Sequence, residues 1–519
     1  MSVVLSEARR RRSFAIISHP DAGKTTLTEK FLLYAGALAE AGAVKARRGR
    51  RSATSDWMGL ERQRGISITS TVLQFTYRDT VLNLLDTPGH EDFSEDTYRV
   101  LTAVDSAVMV LDAAKGIEPQ TLKLFEVCAR RGIPMLTFIN KWDRPGMQPL
   151  ALLDEIEQAL SVRATPITWP VGADVKFRGV VDRERDRYVR FERTPRGATE
   201  AIEEHLDPAK HIPSSDPASE ELAMLDALGA DLDGPSYLRG ESTPVFFGSA
   251  LWNFGVRMML DAIVDMAPAP SFRLDAQGRE RVLDDPFSGF VFKIQANMDP
   301  AHRDRIAFVR ICSGVFDRGM PLVHAPTGRK ITTRHAHLFF GQERSTAERA
   351  FPGDVIGLVV TGGLQIGDSL YAGEPVSFPP IPSFTPERFA RIRSRDTARY
   401  KQFRRGLRQL EEEGVVQVLR EPSLGDQAPV LAVCGTLQFD VAAYRLEQEF
   451  GASVVVDPMP HTFIRITDAS GAKLLAREPS VEILERSNGT LVALFESRYQ
   501  LERLERAESG VVLEKLGAG

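Results

Sequence analysis

The sequence has little cysteine and no marked excess of one sign of charge. Its 519 residues include 3 cysteines, and 65 lysines and arginines stand against 70 aspartates and glutamates. The thiols are odd in number and far apart, which favours a reducing cytoplasm over a disulfide framework. The formal charge of -5 gives no global basic field that would indicate a nucleic-acid partner, although local clusters can still bind one.

Long hydrophobic runs are also missing. No segment approaches the ~20 consecutive apolar residues that cross a bilayer. The N-terminal residues lack the apolar stretch of a secretory signal. We therefore expect a cytoplasmic protein without membrane association, and its length predicts roughly two to four domains.

Proline-rich stretches at 267–278 and 377–387 divide the chain, because proline resists both helix and central strand. Ahead of them, apolar runs alternate with helical patterns, which is typical of βαβ units around a mostly parallel sheet. The runs are 14–17, 81–85, 107–111, 135–139 and 245–247.

Between the two proline-rich stretches, β-rich runs closed by glycine turns predict an antiparallel β-barrel. The pattern after them mixes helix and strand, which predicts a small α+β domain. We thus expect three domains in this multidomain chain: an α/β P-loop domain with a parallel-type sheet at 1–270, interrupted by an insertion at about 163–240, a β-barrel at 279–380 and an α+β domain at 387–519.

The loop after the first apolar run has the spacing of a phosphate-binding P-loop, with serine in place of its first glycine. Amides of such a loop surround phosphate oxygens, its lysine neutralises their charge, and the following hydroxyl can bind Mg²⁺. An ordinary strand-to-helix turn is the alternative. The candidate phosphate-binding residues are Ser18, His19, Pro20, Asp21, Ala22, Gly23, Lys24, Thr25 and Thr26, with Thr25 also a candidate magnesium ligand.

A second loop follows the apolar run at 81–85. A carboxylate in this place can hold Mg²⁺ through a water, and a glycine lets the backbone come close to a γ-phosphate. The residues are Asp86, Thr87, Pro88, Gly89 and His90, with Asp86 the candidate magnesium ligand.

A third loop, Asn140-Lys141-Trp142-Asp143, closes the run at 135–139. The Asp143 carboxylate can accept hydrogen bonds from the ring N–H and the exocyclic amine of guanine, a pair that adenine lacks. A helix N-cap by Asp143 is the alternative. Ser249 and Ala250, after the run at 245–247, would complete the base pocket through backbone amides.

These loops follow strands of one predicted parallel sheet, and ligands bind outside the carboxyl ends of such strands. Their joint occurrence is more specific than any single loop. The pattern predicts a GTPase that binds GTP or GDP with Mg²⁺.

The motifs resemble those of the translational GTPase family. His19, Asp21, Gly23, Lys24 and Thr25 match its H-x-D-x-G-K-T pattern, and its D-T-P-G-H stands intact at 86–90. The segment 61–70 is similar to the family's switch loop, with Ser67 at the position of the magnesium-binding threonine and Thr69 as the alternative ligand. Within the family, stretches between 14 and about 441 are most similar to the bacterial members that act in translation termination.

The resemblance implies a monomeric factor whose partners are the ribosome, both rRNA and ribosomal proteins, and class one peptide chain release factors. It implies exchange of GDP for GTP on the post-termination ribosome, dissociation of the class one factor, and GTP hydrolysis on departure. It also implies that His90 orients the attacking water in catalysis. A polar residue that simply caps a helix start is the alternative for His90.

Arginine-rich clusters are candidate contacts to rRNA phosphates, although such clusters are usually solvated faces. They comprise residues 9–12, Arg47, Arg48, Arg50 and Arg51, and a basic cluster made of Arg388, Arg391, Arg393, Arg395, Arg399, Lys401, Arg404, Arg405 and Arg408. Near the last set, Phe389, Ile392 and Leu407 are expected in a core.

Three other protein classes share part of the pattern. A tRNA carrier resembling elongation factor Tu would have a second β-barrel where 387–456 mixes helix and strand. A translocase resembling elongation factor G has further C-terminal domains, for which 519 residues leave no room. A metabolic P-loop kinase is disfavoured by the guanine-type loop at 140–143. An elongation factor of the translocase type is the main alternative.

Overall fold

The first domain of the protein is organised around a mostly parallel sheet. The structure is a computed structural model that describes residues 2–37, 68–194, 199–296, 305–340, 343–360, 363–382, 384–422, 425–506 and 511–516. The strands up to residue 247 are β1 (Arg11–Ser18), β2 (Thr71–Tyr77), β3 (Thr80–Asp86), β4 (Ser106–Asp112), β5 (Met135–Asn140), β6 (Arg163–Pro166), β7 (Thr168–Val171), β8 (Gly179–Asp182), β9 (Arg187–Glu192), β10 (Ile202–Leu206) and β11 (Ser242–Phe247).

The main sheet has the order β2-β3-β1-β4-β5-β11-β6, in which β2 alone runs antiparallel to its neighbour. Strand β4, with the sequence SAVMVLD, is buried along its whole length. Such burial is typical of a parallel sheet that is covered on both faces. The five apolar runs predicted as strands all lie in this sheet, which confirms the expected α/β fold.

Helices of the first domain connect and cover these strands. Pro119 and Pro149 stand at the first helical position of two of them, where a missing N–H costs nothing. The helices are α1 (Val3–Arg9), α2 (Lys24–Tyr34), α3 (Ser94–Leu101), α4 (Pro119–Arg130), α5 (Pro149–Leu160), α6 (Pro208–His211), α7 (Pro217–Ala227), α8 (Gly234–Leu238) and α9 (Val256–Met266), with short 3₁₀ helices at Glu91–Phe93 and Asp174–Lys176.

The predicted insertion at about 163–240 contains a separate antiparallel sheet of order β10-β9-β8-β7. Its first residues behave differently from the expectation, because β6 pairs in parallel with β11 and extends the main sheet. The four-residue strand RATP is too short to show the pattern of a buried strand. Its place depends on pairing with a strand almost eighty residues further along the chain.

The middle domain is built from antiparallel strands, as in the predicted barrel. They are β12 (Arg273–Leu274), β13 (Glu280–Arg281), β14 (Ser288–Ala296), β15 (Arg305–Ser313), β16 (Phe316–Asp317), β17 (Pro321–His324), β18 (Lys330–Thr332), β19 (Ala336–Phe340), β20 (Glu343–Thr346), β21 (Arg349–Ala350), β22 (Val355–Val360) and β23 (Ser369–Tyr371). Seven of them form a sheet in the order β18-β17-β23-β14-β15-β22-β19. Phe340 of β19 pairs with Leu73 of β2, so this sheet continues into that of the first domain.

A buried polar cluster joins the first and middle domains. The Asp354 carboxylate accepts hydrogen bonds from Arg11 Nε at 2.9 Å, Gln74 Nε2 at 3.1 Å and Asn83 Nδ2 at 3.3 Å. A buried carboxylate is stable only when it is paired in this way. The contacts fix the middle domain against β1, β2 and β3.

The C-terminal domain is an antiparallel sheet with helices packed against it. Its strands are β24 (Arg388–Ser394), β25 (Gln417–Glu421), β26 (Gly425–Val433), β27 (Val454–Pro458), β28 (Phe463–Ile466), β29 (Val481–Arg486), β30 (Leu491–Phe495) and β31 (Glu514–Lys515). They pair in the order β27-β24-β26-β25-β29-β30-β28-β31. Its helices are α10 (Tyr400–Glu412), α11 (Leu437–Phe450), α12 (Ala469–Leu475) and α13 (Arg498–Arg506), with a 3₁₀ turn at Thr397–Arg399.

The predicted α+β pattern of this domain is confirmed. Phe389, Ile392 and Leu407 are buried in its core, as expected. Of the last sixty or so residues, for which the sequence offers little guidance, the described ones add β28, β29, β30 and β31 to the same sheet.

The C-terminal domain is docked on the segment that follows His90. Asp92 Oδ2 accepts a 2.7 Å hydrogen bond from the N–H of Leu437, the first residue of α11. Arg99 of α3 donates to the carbonyl of Gly414 at 3.1 Å. A Cβ on Gly435 would lie 2.0 Å from Asp92 Cγ, so only glycine fits there.

Two further properties bear on the sequence-based expectations. No helix among the described residues is long and apolar enough to span a membrane. The three cysteines are free, and burial raises the pKa of Cys128 to about 12 and that of Cys312 to about 11.

Candidate nucleotide-binding site

The predicted phosphate loop lies between the end of β1 and the start of α2. Ser18 is the last residue of the strand, residues 19–23 form the turn, and Lys24, Thr25 and Thr26 open the helix. Gly23 has φ +100°, and a Cβ there would lie 2.2 Å from Asn140 Nδ2. Glycine is required for both reasons. The N-terminus of α2 therefore presents its backbone amides at this turn.

Lys24 and Asp86 form a buried ion pair across the two phosphate-site loops. Their side chains are 5% and 2% exposed, and Nζ lies 2.5 Å from Oδ1. Asp86 ends β3, and β3 is the parallel neighbour of β1, so their carboxyl ends adjoin. Each charge balances the other in the interior, where an unpaired charge would be costly.

The loop that follows Asp86 is tied to β1 through Thr87. Thr87 Oγ1 donates to the carbonyl of Ile16 at 2.6 Å, and Pro88 and Gly89 follow. A Cβ on Gly89 would meet nothing closer than Pro20 Cα at 3.9 Å. The side of Gly89 on which a side chain would stand is therefore open, and it lies beside the P-loop.

His90 stands at the start of the 3₁₀ helix Glu91–Phe93. Its Nδ1 accepts a 3.2 Å hydrogen bond from the N–H of Asp92, and its ring packs edge-on against Phe93 with centroids 6.3 Å apart. About a third of the side chain, 34%, is exposed. In this conformation His90 acts as a helix cap and still reaches solvent.

Asn140 joins three of the candidate loops. Its Nδ2 donates to the carbonyl of Ala22 in the P-loop at 2.8 Å, and its Oδ1 accepts from the N–H of Ala250 at 2.8 Å. The loop after β11, with Ser249 and Ala250, is thereby held beside the loop after β5. The predicted phosphate-binding and base-binding residues are brought to one edge of the sheet.

Lys141 is held by a residue that the sequence-based prediction missed. Its Nζ lies 2.7 Å from Oδ2 of Asp112, the last residue of β4, and its backbone has φ +65°. Burial works against the charged carboxylate, but hydrogen bonds from Lys141 and the N–H of Ala114 hold the pKa of Asp112 below its ordinary value. The available clue was its place at the end of a strand between β1 and β5.

Asp143 is held by a second residue that was missed. The indole N–H of Trp252 donates to Asp143 Oδ2 at 3.2 Å. Trp252 lies in the loop after β11, two residues beyond Ala250. Nothing in the sequence indicates that this tryptophan meets a loop more than a hundred residues earlier.

Several buried polar atoms of the site have no hydrogen-bond partner among the described residues. They are Ser18 Oγ, both ring nitrogens of His19 and Ser249 Oγ. Burial lowers the pKa of His19, although the Glu118 carboxylate lies 3.4 Å from Nε2. Unsatisfied buried polar atoms are expected where a polar ligand completes a site. The P-loop amides, the Lys24 cation, the Thr25 hydroxyl and the Asp86 carboxylate match the chemistry of a magnesium-bound phosphate chain.

Other predicted residues lie outside the described part of the chain. These are Ser67 and the arginines at 47, 48, 50 and 51. The end of the same segment is described, and there Lys293 Nζ donates to Ser70 Oγ at 2.7 Å while Asp96 Oδ2 accepts from the Ser70 N–H at 2.9 Å. Thr69 precedes this anchored residue.

Family models match most of the chain in three consecutive pieces. Residues 9–269 match the elongation factor Tu GTP binding domain, and residues 286–373 match elongation factor G domain 2. Residues 378–505 match the C-terminal domain of class II release factor RF3.

Curated relatives and solved structures agree with these matches. The chain is 48% identical over 523 residues to peptide chain release factor 3 of Microcystis aeruginosa, covering 98% of this chain and 95% of the relative. It is 52% identical over 467 residues to the protein of the same name in Gloeobacter violaceus, with 89% and 88% covered. A crystal structure of a Thermus thermophilus protein has a TM-score of 0.70 at 23% identity, covering 92% of this chain and 71% of that one, which shows a shared fold.

Proposed function

The chain belongs to the peptide chain release factor 3 family of translational GTPases, and we propose that it promotes dissociation of class one release factors from the ribosome after peptide release. The observation that supports this most is the meeting of four loops, after β1, β3, β5 and β11, at one edge of a parallel sheet. The C-terminal domain supports termination over the translocase-type alternative, because it resembles the corresponding release-factor domain.

In the proposed site, the P-loop amides and Lys24 would bind the phosphates of GTP or GDP. Thr25, Asp86, and Ser67 or Thr69 would hold Mg²⁺. The buried pair of Lys24 and Asp86 places the cation for the phosphates beside the carboxylate for the metal. Mg²⁺ neutralises charge on the phosphate oxygens during phosphoryl transfer.

The guanine base would be recognised by the loops after β5 and β11. Asp143 would accept hydrogen bonds from the base, with Lys141 in the same loop, and the loop of Ser249 and Ala250 would border the pocket. The amide of Ala250 already donates to Asn140 Oδ1 at 2.8 Å and that of Ser249 to the carbonyl of Phe254 at 2.9 Å, so these two amides do not face the base as expected. Because adenine cannot satisfy Asp143, the site would reject it by a factor of ~10⁴ or more.

His90 would orient the water that attacks the γ-phosphate. In the described conformation its Nδ1 is occupied by the N–H of Asp92, so Nε2 is the nitrogen available to a water. We propose that the ribosome fixes the ring in its productive orientation. Intrinsic hydrolysis is then slow, and stimulation by a partner is worth ~10³–10⁵ by analogy with other GTPases.

The proposed partners are the ribosome, through rRNA and ribosomal proteins, and a class one release factor. The protein would act as a cytoplasmic monomer. The exposed arginines of the basic cluster support contact with rRNA phosphates, since phosphate contacts dominate such interfaces.

Two measurements test this proposal. Nucleotide binding is measured by titration calorimetry, and we expect GTP and GDP to bind while ATP and ADP do not. Release of a class one factor from stop-codon ribosomes is then followed with and without the protein and GTP. Equal binding of adenine nucleotides, or no acceleration of factor release, would contradict the proposed function.

A further inference from the structure

We propose that Trp252 is a positioning residue for guanine recognition, because its indole N–H fixes the orientation of the Asp143 carboxylate. The inference rests on the proposed function, in which Asp143 binds the base. It adds a specificity-determining residue outside the 140–143 motif.

The contact joins two loops at the mouth of the site. Trp252 Nε1 lies 3.2 Å from Asp143 Oδ2, and both side chains are half-buried. From the described residues, no other hydrogen bond or ion pair reaches the Asp143 side chain. Among the described residues, the indole of Trp252 is therefore the one group that anchors the Asp143 carboxylate.

An anchor matters because the terminal torsion of aspartate is broad, so a carboxylate without one rotates freely. Guanine presents its ring N–H and exocyclic amine side by side, and one carboxylate plane satisfies both. A carboxylate oxygen has two lone pairs, so Oδ2 can accept the indole N–H and a base N–H together. The Trp252 contact thus selects a carboxylate plane without consuming its capacity to bind the base.

Trp252 is itself held in place by the insertion and by α2. The Arg193 guanidinium lies 4.8 Å from the centroid of its ring. The adjacent Asn253 donates from Nδ2 to the carbonyl of Thr199 at 2.6 Å, and its own carbonyl accepts from Tyr34 at 3.2 Å. The position of the indole is determined by these contacts before any base binds.

The test compares GDP with inosine diphosphate, which lacks the exocyclic amine, in the full-length protein with Mg²⁺. Trp252→Phe keeps an aromatic ring against Arg193 and removes the N–H. We expect GDP affinity to fall about 3- to 10-fold and inosine diphosphate affinity by less than about 2-fold, since only guanine needs both oxygens aligned. Titration calorimetry measures both constants.

Trp169→Phe is the matched control. Trp169 lies in β7, outside the site loops, and donates its indole N–H to Glu221 Oε2 at 2.9 Å. The ratio of GDP to inosine diphosphate affinity should stay at the wild-type value in this variant.

Each outcome in Trp252→Phe decides the question. A reduced ratio supports the proposal, whereas an unchanged ratio, or an equal loss for both nucleotides, assigns Trp252 a merely structural role and overturns it. Asp143→Ala separates the two levels of inference. If that variant binds GDP as tightly as wild type, the proposed function itself fails, whatever Trp252 does.

Discussion

Asp112 and Trp252 show how single residues outside the motifs define the site. Asp112 binds Lys141 and Trp252 binds Asp143, so each contacts a side chain of the 140–143 loop. Spacing in the sequence identifies the motif residues, since their chemistry is local. Their partners could not be identified, because each contact depends on how distant loops meet at the edge of the sheet.

The Asp112–Lys141 pair makes a prediction about pH. The pKa of Asp112 is lowered in the folded protein, so the pair stabilises the fold above the ordinary carboxyl pKa of 3.8. That stabilisation is lost as pH falls through the still lower folded value. Asp112→Asn should therefore reduce the free energy of unfolding by about 1–2 kcal/mol at pH near 7 and by less near pH 3.

Urea unfolding of wild type and Asp112→Asn across this pH range measures the difference between their free energies of unfolding. Because the other carboxylates titrate in both proteins, their contributions cancel in that difference. Glu126→Gln is the control, because its ion pair with Arg130 is largely exposed and should contribute little. A difference between wild type and Asp112→Asn that grows on acidification would be the wrong sign for this pair.

His90 makes a prediction about catalysis. Because its ring contacts the backbone of Asp92 rather than the P-loop, His90→Ala should leave GTP affinity within about 2-fold of wild type. Ribosome-stimulated turnover should fall to the intrinsic rate. Single-turnover phosphate release with and without ribosomes measures this, and undiminished stimulation would exclude the proposed role.

At the scale of elements, the α/β core could be predicted because β1, β3, β4, β5 and β11 are apolar runs ended by turn residues. Strand β6 could not, since it is short and its burial comes from pairing with β11. The C-terminal strands β28 and β29 could not be predicted either, because most of their residues are partly exposed and show no clear alternation. The domain boundaries stay predictions.

Helix α11 carries a prediction at this scale. The side chain of its own N-cap residue, Thr436, makes no capping hydrogen bond, and Asp92 of the first domain supplies that function. Asp92→Ala should remove about 1 kcal/mol of helix-end stabilisation and raise amide hydrogen exchange over the first turn of α11. Hydrogen-exchange mass spectrometry resolves that turn.

Asp468→Ala is the control variant. Asp468 caps α12 through the N–H of Gly471 at 2.6 Å, within the C-terminal domain alone. Its loss should raise exchange in α12 and leave α11 unaffected. Unaltered exchange at the start of α11 in Asp92→Ala would mean that the interdomain cap contributes nothing.

At the scale of the whole molecule, the basic cluster at 388–408 divides into paired and exposed members. Arg391 and Arg393 form ion pairs with Glu482 and Asp457. Exposed side chains around α10 include Arg399, Lys401, Arg405 and Arg408. Phe403 and Leu407 pack into the core from one face of α10, so the exposed cations of this helix lie on its opposite face.

We predict that reversing Arg399, Lys401 and Arg405 to glutamate weakens ribosome binding and flattens its salt dependence. Each lost phosphate contact should lower the slope of log affinity against log salt by about 0.7–0.9. Pelleting assays at several salt concentrations give that slope. Reversal of three exposed cations on and directly after α4, Lys123, Arg130 and Arg131, controls for net charge. An unchanged slope in the first variant would show that the basic cluster is only a solvated face.

The close approach of Gly435 to Asp92 has a mechanical consequence. His90 is two residues from Asp92, whose carboxylate is hydrogen-bonded to the C-terminal domain. The space between Asp92 and Gly435 is too small even for a methyl group. If the C-terminal domain rotates against the first domain, the backbone at His90, the proposed catalytic residue, must move with it, or the contact of Asp92 with α11 must break. In the proposed function, a ribosome bound to the C-terminal domain would therefore influence hydrolysis without contacting the nucleotide.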